Sequence, residues 1–236
     1  MAEREILKLG YFLATIPYLF ISKIAHKFNL WGLRDDVNKC LEVVARYNHV
    51  ILPKKLLLTL ELGEDHRSQI HLGIDQIAIC RSLFSTIKGQ IQGASTIEQQ
   101  FVRVVVNRYQ RTLNRKILEQ LLAVYMSSIL SKGIISKTYL CIAYYGVSEQ
   151  GVMRLKEFDN KAFVGFTYSD AIRVIARLKY PQPLIRNKLW QLKFEQRTIH
   201  LSNKLSMLNI HSKPSEFGLA SKVDNHSSSQ YFVYYP

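Results

Sequence analysis

The sequence predicts a mainly α fold. Apolar residues recur at helical intervals in one stretch after another. Most of these stretches open on a helix-start signal, and almost none alternates apolar with polar side chains as a half-buried strand would. The first stretch, Leu9 to Ser22, carries no charge and is bracketed by Lys8 and Lys23. It is shorter than the roughly 20 residues that cross a bilayer as a helix, and Pro17 inside it would kink it. Adding Ile6, Leu7, Ile24 and Ala25, with both lysines snorkelling, stretches it to a tilted span. A core helix, an interfacial anchor and a transmembrane segment all fit. Tyr11, Phe12, Tyr18 and Phe20 suit a membrane interface and favour the last two. The run lacks the small-residue cleavage site of a signal peptide. Arg4 and Lys8 on one side balance Lys23 and Lys27 on the other, so charge sets no orientation.

The elements that follow are read in order. Leu33 to Tyr47 places Val37, Leu41 and Val44 on one helical face, with Asp35 or Asp36 as its start. Pro53 precedes a helix through Leu56, Leu57, Leu60 and Leu62 that delivers Glu64-Asp65 at its end. Ile74 to Thr86 reads as helix. Ser95-Thr96-Ile97-Glu98 has the form of a capping box, which predicts a helix from there to about Asn107. Thr112 to Leu130 gives the longest helical signal, through Leu113, Ile117, Leu121 and Val124. Further helices are expected from Ser131 towards Tyr144, over Ser169 to Leu178 and over Lys188 to Leu208, with Pro181-Gln182-Pro183 breaking the last two apart. The division expected is a membrane-associating segment over 1–30, a single folded domain over 31–208 and a tail over 209–236, whose end, Tyr231 to Tyr235, is aromatic and β-prone.

Composition narrows the function. With 47% apolar and 21% charged residues, the chain of 236 residues can build a buried core and is not of the disordered class. A net charge of +14 favours an anionic partner: nucleic acid, an acidic membrane surface or a phosphorylated substrate. Aromatic interleaving is sparse and no nucleic-acid fold motif occurs, so nucleic acid is not the expected partner. Cys40, Cys80 and Cys141 are far apart, form no C-x-x-C pair and read as small core residues. No H-E-x-x-H pattern marks a zinc hydrolase, and no metal-ligand set is assigned.

Two segments carry the chemistry: Gly63-Glu64-Asp65 running to His71-Leu72-Gly73-Ile74-Asp75, and Gln92-Gly93-Ala94-Ser95-Thr96-Ile97-Glu98-Gln99-Gln100. A glutamate at a helix end can act as a general base when its surroundings raise its pKa, and Leu60, Leu62 and Ile70 are close in sequence. A surface Glu-Asp pair is the plainer alternative. The second segment is either an ordinary capped helix start or a helix N-terminus whose N–H groups and glutamines face an anion or sugar. Arg103, Arg108, Arg111, Arg115 and Lys116 then form a dense positive strip. Arg115 and Glu119, one turn apart, are also an ordinary i,i+4 pair.

These segments resemble the family 51 glycosyltransferases. The first family motif, Glu-Asp-x-x-Phe-x-x-His-x-Gly-x-Asp, is matched by Glu64, Asp65, His71, Gly73 and Asp75, with Ser68 at the aromatic position. The second is matched by Gly93, Ala94, Ser95, Thr96, Ile97, Gln99 and Gln100. In it Glu98 stands for the usual Thr, Arg103 for Lys and Val104 for Asn. Arg115-Lys116-x-x-Glu119 matches the third, and Ser131-Lys132 and Tyr139-Leu140 follow. Ser127 stands where the resemblance expects a second glutamate, and Lys137 and Cys141 replace the usual Glu and Asn. The likeness is close up to Lys132 and loose beyond it, where Thr167 to Pro183 and Arg197 match in part.

The resemblance implies a lysozyme-like glycosyltransferase domain with an N-terminal apolar, membrane-associating helix. It implies Glu64 as catalytic base, Ser127 at the second catalytic position, and His71 as a structural hydrogen bonder. Asp65, Ser95, Thr96, Gln99, Gln100, Arg103, Arg115, Lys116, Glu119 and Lys132 become substrate-binding residues. The implied partners are an undecaprenyl-pyrophosphate-linked sugar donor such as lipid II, the growing glycan chain and an anionic membrane surface. The implied location is the periplasmic face of a bacterial inner membrane, and a divalent cation, Mg2+ or Mn2+, is compatible with the pyrophosphate. Serine at 127 can neither carry charge nor take a proton at neutral pH. Three functions therefore stay open: an active peptidoglycan polymerase, a relative retuned to another polyprenyl-linked surface polysaccharide, and an inactive protein that binds a lipid-linked precursor.

Overall fold

The structure, a computed structural model, describes residues 2–89, 93–110, 112–147, 149–155 and 165–208. Gln92, Arg111 and the 209–236 tail with its aromatic end lie outside the described residues. The described chain is helical apart from turns and one small hairpin, as the periodicity predicts.

Helix α1 (Ala2–Lys27) runs unbroken through Pro17. Tyr11, Thr15, Ser22 and Ala25 are buried, while Ile6, Leu9, Phe12, Leu13 and Phe20 stand exposed, so α1 is not a core helix. By length and composition Glu3–Lys27 could cross a membrane. The contacts that fix α1 to the domain include three between side chains. Tyr11 OH donates to Asp75 Oδ1 at 2.8 Å and Gln76 Nε2 to Thr15 Oγ1 at 2.7 Å, and His26 stacks on Tyr125 with ring centroids 4.4 Å apart.

A tight turn over Leu30–Gly32 leads into α2 (Leu33–Arg46), then α3 (Lys54–Glu64) and α4 (Gln76–Ile87). Next come α5 (Ile97–Val106), α6 (Leu113–Ile129) and α7 (Lys132–Ile142). Strands β1 (Tyr144–Gly146) and β2 (Glu149–Gln150) form an antiparallel hairpin before α8 (Tyr168–Lys179) and α9 (Lys188–Met207). One core joins these helices: α5 packs between α6 and α7, and α3 lies against α8 and α9. Leu56, Leu60, Phe101, Leu122, Met126, Ile135, Leu140 and Ile175 are fully buried in it. Leaving these side chains out of water is the main favourable contribution to the fold.

Side-chain caps fix most helix starts. Asp75, Thr96, Thr112, Ser131, Thr167 and Asn187 each accept from a backbone N–H of the first turn. Two expectations are corrected. The expected capping box at Ser95 and Glu98 is not the start of α5: Thr96 is the cap, and Glu98 turns inward to pair with Lys132. A capping box occurs instead at Thr167 and Asp170. Cys40 and Cys141 are buried as expected, but Cys80 lies on the exposed face of α4.

Candidate active site

The first motif is a connected knot between helix ends. Asp65, directly after α3, is buried. Its carboxylate meets His71 Nε2 at 2.9 Å and accepts from the Ile97 N–H at 3.2 Å, which ties the end of α3 to the start of α5. His71 is thus a hydrogen bonder held away from solvent. Gly73 adopts φ +79°, and a Cβ there would lie 2.6 Å from the Ala123 carbonyl oxygen. Only glycine lets this loop rest directly on α6. The Gly73 carbonyl accepts from Thr96 Oγ1 at 2.7 Å, joining the first motif to the second. Asp75 caps α4 through the Ala78 N–H and accepts from Arg67 Nε, both at 2.8 Å. Burial opposes its charge, but the bonds from Ala78, Arg67 and Tyr11 outweigh that and hold the carboxyl below its usual range.

Glu64 stands at the last turn of α3, its side chain 16% exposed. Arg197 Nη2, from α9, donates to Glu64 Oε1 at 2.7 Å and to the Gly63 carbonyl at 2.9 Å. Gln100 Nε2 donates to Glu64 Oε2 at 3.2 Å. Gln100 Oε1 accepts from the buried Tyr139 hydroxyl at 2.5 Å. The carboxylate is therefore held by a guanidinium and an amide rather than by the apolar side chains near it in sequence.

One turn along α5 from Gln100 lies a cationic cluster around the buried Glu119. Arg103 grips Glu119 with two bonds, of 2.8 and 2.9 Å, and Lys116 Nζ lies 2.7 Å from Glu119 Oε1. Arg115 pairs with the same carboxylate. The i,i+4 pair foreseen on α6 is thus one part of a three-cation cluster. Lys116 also donates to Gln99 Oε1 at 2.6 Å and to Ser95 Oγ at 3.1 Å, and Arg103 Nη2 reaches the same Ser95 oxygen at 3.1 Å. Burial lowers the Lys116 pKa, opposed by its bond to Glu119. Burial likewise works against a charged Glu119, but Arg103 and Lys116 prevail and keep its carboxyl below the usual range. Three cations on one anion leave a net positive wall, the electrostatics that suit a diphosphate.

Arg108 stands at the edge of that wall, beside Arg103, Arg115 and Glu119. Arg108 pairs with the buried Asp36 at 2.7 Å and fastens the loop after α5 to α2. Lys132 is engaged with Glu98. Ser127 Oγ donates to the Ala123 carbonyl at 2.8 Å, a bond internal to α6. By donor type a metal could be held by Asp65, His71 and Glu98, which are buried and offer ligand atoms within 4.8 Å of one another. The Asp65 oxygens, however, already face His71 and Ile97, and the Lys132 ammonium already balances Glu98. At the cationic wall the carboxylate, Glu119, is taken up by three cations. The described residues therefore do not fit a divalent cation held by the protein at a pyrophosphate.

Sequence reasoning missed the Arg197–Glu64 contact. Its one signal was the loose match of Arg197 to a late family motif. The joint between Tyr139 and Gln100 also escaped notice, although both residues stand at motif positions.

A buried acid-histidine knot, a glutamate at a helix end and a cationic wall beside two glutamines thus stand together in one helical domain. Residues 43–206 match the transglycosylase family, and the chain is a member of it. It is 33% identical over 159 residues to penicillin-binding protein 1A of Haemophilus influenzae, across 65% of this chain and 18% of that protein. It is 33% identical over 133 residues to the biosynthetic peptidoglycan transglycosylase of Shewanella denitrificans, across 56% of this chain and 58% of that protein. The matched segment thus spans less than two thirds of either relative.

Proposed function

We propose that the chain is a glycosyltransferase that polymerises undecaprenyl-pyrophosphate-linked sugar units, lipid II, into peptidoglycan glycan strands. The observation that carries this is the placement of Glu64. Its carboxylate is oriented by Arg197 and Gln100, beside a wall made by Arg103, one turn further along α5, and by Arg115 and Lys116 of α6. Glu64 takes the proton from the 4-hydroxyl of the acceptor sugar. The freed oxygen forms a bond to the anomeric carbon of the donor chain, and the bond from that carbon to the pyrophosphate oxygen breaks. The pyrophosphate leaves with the electron pair towards the cationic wall, and the centre is inverted. A divalent cation taking part in this step would be held by the phosphates of the donor. The exposed apolar side of α1 associates with the inner membrane, on the periplasmic face, where the lipid-linked donor is embedded.

The arrangement at Ser127 favours a second reading. A hydroxyl bonded to the Ala123 carbonyl offers no charge to the donor's anomeric carbon, which suits a protein that binds a lipid-linked precursor without turning it over. Purified protein incubated with labelled lipid II separates the two. Polymer formed by the wild type and lost in Glu64→Gln supports the polymerase. Saturable binding with no polymer in either supports the binding protein. Polymer undiminished in Glu64→Gln removes Glu64 from the mechanism.

A further inference from the structure

The carboxylate of Glu64 does not meet Gln100 in an arbitrary sense. A side-chain amide carries an acceptor on one side and donors on the other, and either can face a neighbour until a third group decides. Tyr139, on α7, is that third group. Its side chain is buried and its hydroxyl lies 2.5 Å from Gln100 Oε1. Burial, and next the negative charge of Glu64, push its pKa far above the usual phenol range, so it keeps its proton. A phenol that keeps its proton donates, and the amide oxygen turns to receive it. The amide N–H then points the other way, at Glu64 Oε2.

We propose that Tyr139 is a positioning residue for the base: it locks the Gln100 amide so that a donor, and not a carbonyl oxygen, faces Glu64. This rests on Glu64 acting as the base. Without the phenol, the amide can turn over and set its oxygen against a carboxylate oxygen. That disfavours the ionised glutamate, the form that accepts the proton. Among the described residues, Arg197 and Lys204 from α9 act on Glu64, while Arg103 from α5 and Tyr109 act on Tyr139, and the variants below alter none of them.

The test is the pH dependence of kcat for polymerisation of lipid II by the wild type, Tyr139→Phe, Gln100→Leu and the double variant, with folding checked by circular dichroism. The profile of kcat reports groups in the substrate complex. In Tyr139→Phe the acidic limb should move up by about one pH unit and kcat at the old midpoint should fall several-fold, with KM little changed. Gln100→Leu should move the limb the same way, and the double variant no further than the larger single shift. An unmoved limb in either single variant overturns the proposal, as do additive shifts in the double. Should Tyr139→Phe not fold, the limb in Gln100→Leu alone decides. Glu64→Gln run alongside keeps the two ideas apart. Full activity there sinks Glu64 as base, whereas an inactive Glu64→Gln with an unmoved Tyr139→Phe limb sinks only the positioning role.

Discussion

Arg197 and Glu64 are 133 residues apart in the chain and 2.7 Å apart in the fold. The contact requires α9 to lie close on the end of α3. At Gly63 a Cβ would come within 2.8 Å of Leu201 Cδ2 and 3.0 Å of Ile175 Cγ2, so the glycine before the glutamate makes room for both neighbours. The guanidinium then satisfies the Gly63 carbonyl and the Glu64 carboxylate together.

Arg197→Ala should leave both oxygens without their partner. Hydrogen bonds to charged groups contribute about 1.5–3 kcal/mol each, so a loss of about 2 kcal/mol is expected in urea unfolding, together with loss of polymerisation. An unchanged urea midpoint with full activity would show that the clamp matters to neither.

Glu119 should make the domain acid-sensitive. Its folded-state pKa is depressed, so its stabilising contribution is fully present above its unfolded value, about 4.3, and is lost as pH falls through the folded value. Melting curves of the wild type should therefore drop below about pH 4.3. Glu119→Gln should melt lower at neutral pH, lose less on acidification, and gain more from added pyrophosphate, which can replace the missing anion. Parallel acid profiles for the two proteins would contradict this.

Gly73→Ala tests the contact between the first motif and α6. A Cβ would clash with the Ala123 carbonyl, and φ of +79° adds strain of about 1–2 kcal/mol for a non-glycine residue. A total loss above about 2 kcal/mol is expected in chemical denaturation. A loss of only a few tenths would mean that the loop yields without cost.

Glu98 and Lys132 form a largely buried pair, and Glu98 Oε2 has no hydrogen-bond partner. Lys132→Met should destabilise the domain by about 3–5 kcal/mol, because it strands a buried charge. Replacing both, as Glu98→Leu with Lys132→Met, should be close to neutral. A double variant as unstable as the single one would show that the pair does more than neutralise itself.

The residues of the knot, Asp65, His71, Gly73 and Asp75, were legible as one motif of fixed spacing. Its ties were not: Asp65 was read as a substrate contact, and the partners Ile97, Thr96, Ala123 and Tyr11 lie in distant segments that no local spacing encodes. The helices were legible because their apolar faces repeat and because Ser, Thr, Asp and Asn occupy their starts. Glu98 was misjudged for a physical reason. Ser-x-x-Glu satisfies a capping box in isolation, but Thr96 was drawn to the Gly73 carbonyl and Lys132 offered Glu98 a charge, and tertiary partners outweighed the local pattern. The partners of Glu64 depend on how α9 folds back across α3, and no spacing near Glu64 encodes that. Ser127 was noticed for what it lacks; its bond to Ala123 is ordinary helix chemistry that any serine can adopt.

The attachments of α1 run from Tyr11 to His26, most of the length of its apolar stretch. An upright helix in this pose would drag Asp75, Gln76 and Tyr125 into hydrocarbon with it, and an ionised carboxylate resists that strongly. A helix lying flat would sink only its outer row, Phe12, Ile16 and Phe20 among them, and leave the buried Asp75 inside the protein rather than in hydrocarbon. Under the membrane association proposed above, such a helix would work less like a mast than like a keel, setting how high the rest of the molecule rides above the lipid.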